Sequence, residues 1–90
     1  MLRVTETQTE QGTWLILEGR LAGPWVDEVK RCWKRVLSRG TGAVTFVDVG
    51  GVLFIDRTGK ALLRQMHHAG ARLVSSGCLM NSVVEEIERT

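Results

Sequence analysis

The sequence contains few residues that constrain a chain covalently: one proline, two cysteines and no tyrosine among 90 residues. Cys32 and Cys78 are too few for the disulfide framework of a small secreted domain. We expect both to be reduced thiols in or near the core of a cytoplasmic protein. Apolar runs of only a few residues exclude a membrane-spanning segment, and residues 1–20 lack the order of a signal peptide.

The chain also lacks the length for a deep catalytic cleft. Ninety residues form one domain, 1–90, with one small core. We therefore expect a module that acts through its surface. The net charge of +2 is too small to imply nucleic-acid binding. Basic residues nevertheless cluster in the predicted helix 25–39, where we expect a solvated outer face, with nucleic-acid binding as the alternative. They are Lys30, Arg31, Lys34, Arg35 and Arg39.

Two strands open the chain. Residues 1–9 are predicted to form an edge strand, and residues 13–21 a second strand. The polar residues 8–12 are predicted to form the hairpin connection between them. Leucines at 15, 17 and 21 share one face of the second strand. The opposite face is half apolar and half charged, which indicates a sheet surface without a full covering layer. On that face, Trp14 and Ile16 are candidates for weak self-association into a homodimer.

Helical and extended segments then alternate. Pro24 is well placed to begin a helix, and apolar residues follow at helical spacing until Gly40–Gly42. Residues 43–49 are apolar on both faces, which predicts a fully buried central strand with Phe46 in the core. Gly50-Gly51 is expected to break that strand. A second helix runs from Asp56 to Gly70, a short strand follows over 71–75, a turn over 75–77, and a last helix over 78–89.

This order of elements, β-β-α-β-α-β-α, predicts the fold class. After the opening hairpin, each strand–helix–strand unit should join two parallel strands. We expect an α/β fold with a small mixed four-stranded sheet and helices packed mainly on one face. Because only one face is covered, the half-polar side of the second strand should remain open.

The connection Asp56-Arg57-Thr58-Gly59 places a hydroxyl where the second helix begins. Asp56 is a plausible N-cap, and a phosphate on Thr58 would be stabilised by the helix dipole and free N–H groups. Gly59 removes side-chain bulk where some other group must approach closely. The stretch VTFVDVGGVLFIDRTGKALL resembles the signature of STAS domains, the family of bacterial anti-sigma-factor antagonists and sulfate-transporter tails. Weaker resemblance covers LEGRLAG and ARLVSSGCL.

The resemblance implies a signal-transduction module that regulates transcription through an anti-sigma factor, an ATPase-like serine/threonine kinase. Thr58 stands where the family carries its phospho-acceptor. Arg57, Lys60 and Ala22 depart from the family pattern, because phospho-regulated members often have an Asp at the place of Ala22. The implied partner surface comprises Asp56, Arg57, Thr58, Gly59 and Lys60, with Leu21, Ala22 and Gly23 beside them. Cations on both sides of Thr58 favour either a phosphothreonine or an acidic partner met without phosphorylation.

Other functions are weighed against this one. An accessory subunit of a lipid-transport ATP-binding-cassette complex is a second role that the family offers. Catalysis is not expected, since His67 and His68 lie roughly 13–15 Å of helix rise from Thr58. Asp48 and Asp56 are candidate paired carboxylates without a phosphate-binding loop. Adjacent histidines on a helix point apart and seldom chelate one ion, so we expect neither a metal nor a cofactor.

Overall fold

A computed structural model describes residues 1–40, 44–75 and 78–89, except for the side chains of Cys78 and Leu79. The element order predicted from the sequence is confirmed. The elements are β1 (Leu2–Thr9), β2 (Gly12–Leu21), α1 (Pro24–Ser38), β3 (Val44–Ile55), α2 (Arg57–His68), β4 (Arg72–Val74) and α3 (Cys78–Glu88). The turn predicted over 75–77 lies largely outside the described residues, as do Thr41 and Gly42 of the predicted end of the first helix.

The four strands form one mixed sheet in the order β1-β2-β3-β4. β1 pairs with β2 in antiparallel fashion, whereas β2–β3 and β3–β4 are parallel. The α/β class, the parallel crossovers and the edge position of β1 are therefore confirmed. The carboxyl ends of β2 and β3 lie at the same sheet edge, and this edge carries the connections that lead into α1 and α2.

Local sequence explains where the helices begin and end. Pro24 occupies the first turn of α1, where its missing N–H costs nothing. Gly23 precedes it with φ of 57° and ψ of −135°, a conformation that side-chain-bearing residues rarely adopt. Helix α2 ends at His68, and Gly70 follows with φ of 102°, as the predicted C′ glycine requires. None of the helices in the described ranges has the length and apolarity needed to cross a membrane.

The hydrophobic core lies on one face of the sheet. Leu15, Leu17 and Leu21 of β2 are fully buried, as are Val47 and Val49 of β3. All belong to one apolar cluster with residues from the three helices, which therefore cover this face. The cluster's helical members are Val26, Val29, Trp33, Val36, Leu62, Leu63, Met66, Met80, Val84 and Ile87.

The other face of the sheet is open, and the expectation that β3 is buried on both faces is wrong. Phe46 is half-buried and Val44 is exposed, so the side chains opposite Val47 and Val49 do not reach the core. The Phe46 ring instead stacks on Trp14 of the neighbouring strand, with ring centroids 4.6 Å apart and ring planes 13° apart. Each ring thereby covers part of the other's apolar surface, and the rest of that surface stays on the open face.

The predicted break at Gly50-Gly51 is also wrong, because β3 continues without interruption to Ile55. Its pairing with β2 shifts register twice, so that β3 accommodates extra residues in this stretch. Asp48 Oδ1 accepts a hydrogen bond from the Gly50 N–H at 2.9 Å and satisfies a donor at the irregularity. The second shift accompanies Leu53, whose side chain is 76% exposed. The glycines thus mark one of two irregularities within a strand rather than its end.

Candidate functional site

The candidate site lies where β3 delivers the chain to the first turn of α2. Asp56 is the N-cap, as predicted, and its extended backbone places Oδ1 2.8 Å from the Gly59 N–H that it caps. The Thr58 hydroxyl donates a second hydrogen bond to the same oxygen, at 2.7 Å. Thr58 is exposed. The turn therefore presents an oriented threonine hydroxyl at the surface, in contact with a carboxylate.

The other oxygen of Asp56 binds a distant part of the chain. Oδ2 accepts a hydrogen bond from the Gly23 N–H at 3.0 Å, and the Asp56 N–H donates to the Leu21 carbonyl at 3.3 Å. The carboxyl end of β2, the entry to α1 and the start of α2 are thereby joined through one residue. The structure thus brings together the two segments, 21–23 and 56–60, that the sequence assigned to one surface.

Hydrogen bonding lowers the pKa of the Asp56 carboxyl group. The Gly23 N–H contributes most, followed by the Gly59 N–H and the Thr58 hydroxyl, and together they lower the pKa of Asp56 from 3.8 to about 2. A carboxylate with this pKa is ionised at neutral pH and is a poor proton acceptor. Asp56 is therefore suited to orient the Thr58 hydroxyl, and a proton leaving Thr58 would need a different base.

Gly59 has a structural reason to be glycine. It is buried, and a Cβ at this position would lie 2.4 Å from the Leu21 carbonyl oxygen and 2.9 Å from Cγ1 of Ile55. The group that approaches Gly59 closely is thus the chain itself. Leu21 is fully buried as a whole residue, backbone included, so it offers no atoms to a partner surface. Ala22 is half-buried and Gly23 is exposed.

The two cations that flank Thr58 in the sequence, Arg57 and Lys60, have different surroundings. Lys60 Nζ is 3.8 Å from Glu86 Oε2 on α3, because a helix turns about 200° over two residues. Lys60 is thereby directed away from Thr58. Arg57 is exposed at the first position of α2. No sequence pattern indicates Glu86 as the partner of Lys60, since that pairing depends on how α2 packs against α3.

A groove between α1 and α2 borders Thr58. It has a volume of about 230 Å³, and Thr58 lines it together with Asp27 and Lys30 of α1. The remaining lining residues are Val26, Ala61, Leu62 and Gln65. From the sequence alone, Lys30 is one charge of a basic helix. The packing of α1 beside α2 makes it the cation that shares a cavity with the candidate hydroxyl.

The open sheet face carries the residues expected to mediate self-association. Trp14 and Ile16 are half-buried there, and the Trp14 ring is stacked on Phe46. Farther along the same face, the Arg20 guanidinium lies over the Phe54 ring, 4.4 Å from its centroid. Because Trp14 is half-buried and lies outside the apolar cluster that the helices cover, its predicted position on the open face is confirmed. Whether two copies meet there remains a prediction.

The residues considered for catalysis do not converge on Thr58. Asp48 lies within β3 rather than at its end, and the strand that separates it from Asp56 spans roughly 20 Å. His67 is at the far end of α2, where it lines a cleft of about 570 Å³ with Arg72 and Glu88. Within the described ranges, no three His, Cys, Asp or Glu side chains are grouped so that they could hold a metal ion.

The basic helix keeps four exposed cations on its outer surface: Lys30, Arg31, Lys34 and Arg35. The fifth, Arg39, forms an ion pair with Glu6 of β1 and so ties the end of α1 to the edge strand. Of the two thiols, Cys32 is free and half-buried, and the Cys78 side chain lies outside the described residues.

Comparison with models of protein families gives no match, and comparison with characterised proteins gives none either. The resemblance to STAS domains therefore depends on the residues quoted from this chain. In the structure, Thr58 of this stretch hydrogen-bonds to the N-cap Asp56, and Gly59 packs against the end of β2.

Proposed function

We propose that this chain is a non-catalytic, STAS-type interaction module that acts in the cytoplasm as an anti-sigma-factor antagonist. Its partner is an ATPase-like anti-sigma factor with serine/threonine kinase activity, which binds around the amino-terminal turn of α2. The observation that carries the proposal is the Thr58 hydroxyl, held 2.7 Å from the Asp56 carboxylate and exposed at the start of a helix. A kinase can reach this hydroxyl without unfolding the domain.

The chemistry assigned to Thr58 is phosphoryl transfer. The Thr58 O–H bond breaks and a bond forms between Oγ1 and the γ-phosphorus of ATP, while the bond from that phosphorus to the bridging oxygen of ADP breaks. ADP leaves, and the proton passes to a base on the kinase. The low pKa of Asp56 supports this division of roles. Asp56 orients the hydroxyl, whereas a stronger base must accept its proton.

Phosphorylation would change the charge of the surface on which the partner binds. A phosphothreonine carries about −1.5 to −2 charges at neutral pH. It also removes the hydrogen that Thr58 donates to Asp56 and places a second anion beside that carboxylate. A partner that is complementary to the exposed Arg57 and Lys30 would then meet an anion, and binding would weaken.

The test begins with a pull-down from the native cell, followed by titration calorimetry with the recovered partner. Thr58→Glu adds one negative charge and should weaken binding at least tenfold, ~1.4 kcal/mol. Thr58→Ala should leave the affinity nearly unchanged. Thr5→Glu serves as a matched control, because it adds the same charge at an exposed threonine on the distant open sheet face.

Melting curves accompany each variant, since loss of a capping interaction alone costs ~1 kcal/mol of stability. If Thr58→Glu and Thr58→Ala are both folded and both bind as tightly as the unsubstituted chain, the partner surface lies elsewhere and the proposal fails. Equal weakening by Thr5→Glu would show a general charge effect and would also count against it.

An accessory subunit of a lipid-transport ATP-binding-cassette complex is the alternative within the same family. Ala22 favours it, because phospho-regulated STAS proteins often carry an Asp at this place and Ala22 brings no carboxylate to the site. In this role the pull-down would recover a transporter ATPase, and the bait would carry no phosphate on Thr58 by mass spectrometry. The domain would bind by the same surface without a switch.

Nucleic-acid binding is the alternative of a different class, favoured by the four exposed cations of α1. Binding of this kind falls steeply as salt is raised. Retention on a polyanion column at physiological salt, lost when Lys34 and Arg35 are both replaced by Gln, would support it. Elution below that salt concentration would exclude it.

A further inference from the structure

The Thr58 residue borders the groove between α1 and α2 in addition to contacting Asp56. Thr58 lines this groove, whose volume of about 230 Å³ has room for several water molecules. Lys30 projects from α1 onto the same groove. Its ammonium group is a flexible point charge with three donors. Within the part of the chain that the structure describes, Lys30 has no ion-pair partner.

A phosphate on Thr58 would be driven from the Asp56 side toward this groove. Asp56 already accepts hydrogen bonds from the Gly59 and Gly23 N–H groups and from the Thr58 hydroxyl. The helix amide at Gly59 is therefore occupied, and the carboxylate beside it repels a second anion. Rotation of the Thr58 side chain away from Asp56 relieves this repulsion and leaves the cap intact.

Of the described residues that line the groove, Lys30 is the one with a positive charge. Lys60 is engaged with Glu86 on the opposite side of α2, so it does not face the groove. Asp27 lines the groove and opposes a phosphate, but it lies in the first turn of α1, three residues before Lys30. Lys30 can extend past it because four carbons separate the ammonium from the backbone.

We propose that Lys30 is the intramolecular partner of a phosphate on Thr58, and that their ion pair joins α1 to the start of α2 in the phosphorylated chain. This inference rests on the proposed function, in which Thr58 is the phospho-acceptor. Phosphorylation then does more than place a charge on the surface. It withdraws Lys30 from the set of cations available to a partner and closes the groove between the two helices.

The test uses the full chain with phosphothreonine installed at position 58 by synthesis, so that no kinase is required. Cys32 and Cys78 divide the sequence into segments 1–31, 32–77 and 78–90, which native chemical ligation can join. Phosphorus NMR then follows the second ionisation of the phosphate, which has a pKa near 6 in the absence of a partner. A nearby ammonium favours the dianion, so Lys30→Met should raise this pKa by roughly half a unit.

Two variants control for general loss of positive charge. Lys34→Met removes a cation one turn along the same helix, and Lys60→Met removes a cation two residues after Thr58 on α2. Both should leave the phosphate pKa unchanged. The inference is overturned if Lys30→Met has no effect, or if Lys34→Met or Lys60→Met causes a shift as large. A positive result in a chain that no cellular kinase phosphorylates would preserve the Lys30 pairing and refute the proposed function instead.

Discussion

The carboxylate of Asp56 accepts a hydrogen bond from the backbone N–H of Gly23 at 3.0 Å, across 33 positions of sequence. The same carboxylate caps α2 through Gly59. One ionised side chain therefore sets the position of the α1 entry relative to the first turn of α2. Because the candidate partner surface is made from these two segments, its shape depends on the charge and geometry of Asp56.

Asp56 should make stability depend on pH in the acid range. Its pKa in the folded chain is about 2, below the ordinary 3.8, so the stabilisation is fully present above pH ~4. It is lost progressively as the pH falls toward 2, where the carboxylate is protonated. Asp56→Asn removes the charge but keeps a good N-cap. We expect this variant to be less stable than the unsubstituted chain at pH 6 and the difference to shrink toward pH 2.

Urea unfolding at a series of pH values measures the free energy of unfolding of both proteins. Subtracting one free energy from the other cancels the contributions of the carboxylates that the two proteins share. Asp27→Asn is the control, since its carboxylate accepts none of these hydrogen bonds. The prediction is contradicted if the difference in free energy of unfolding between the Asp56→Asn variant and the unsubstituted chain stays constant from pH 6 to pH 2.

Gly59→Ala should destabilise the fold although alanine is the better helix former. Helix propensity favours alanine by ~1 kcal/mol, but the added Cβ would lie 2.4 Å from the Leu21 carbonyl oxygen, which belongs to the backbone and cannot rotate away. We expect a net loss of about 1–3 kcal/mol, as for other overpacking changes. Chemical denaturation measures it.

Gly51→Ala is the matched control for the added methyl group. The Cβ at Gly51 would meet Cγ of Glu18 at 2.9 Å, and this exposed side chain can turn aside. The Gly51 variant should therefore lose less stability than the Gly59 variant. Equal losses would show that Leu21 does not restrict position 59.

Phe46→Ala should cost less than a core truncation, since Phe46 is half-buried on the open face. Loss of its stacking on Trp14 and of part of its burial predicts about 1–2 kcal/mol. Leu63→Ala, at a fully buried position of α2, should cost about 2–5 kcal/mol. Thermal unfolding of both variants shows which substitution causes the larger loss of stability. A larger loss at Phe46 than at Leu63 would restore the sequence-based expectation that Phe46 belongs to the core.

The open face should support weak self-association. Trp14 and Ile16 present half-buried apolar side chains on it, beside the stacked ring of Phe46. We expect sedimentation velocity to show an average mass that rises with protein concentration, and Trp14→Ser to abolish the rise. Leu37→Ser, which removes an exposed apolar side chain from α1, is the control. A monomer at all concentrations would exclude the homodimer.

The sequence predicted the fold well because its signals are local. Helical spacing, Pro24 at a helix start and Gly70 at a helix end each depend on a few neighbouring residues. The two errors both concern β3. Gly50-Gly51 resembles a break, but a side chain from Asp48 and two register shifts keep the strand continuous. Apolar residues on both faces resemble double burial, but Phe46 has only Trp14 to cover it.

The site was predicted in part. Asp56 as N-cap and Thr58 beside it follow from the Asp-x-Thr-Gly turn alone, because capping is a contact between near neighbours. The groups that complete the site come from distant positions: Gly23 on Asp56, Leu21 against Gly59, and Lys30 in the groove. No spacing in the sequence reports them, since each contact exists only after β2, α1 and α2 have packed together.

The short β4 has a consequence for amide hydrogen exchange. Three of the twelve residues of β3 pair with β4, whereas β2 pairs along most of its length. Within the described chain, β4 is therefore held by fewer strand hydrogen bonds than the other strands, and we expect its amides to exchange through an opening that leaves β2 and β3 protected. The turn around Thr58 is anchored to β2, so it should stay folded while β4 detaches and returns.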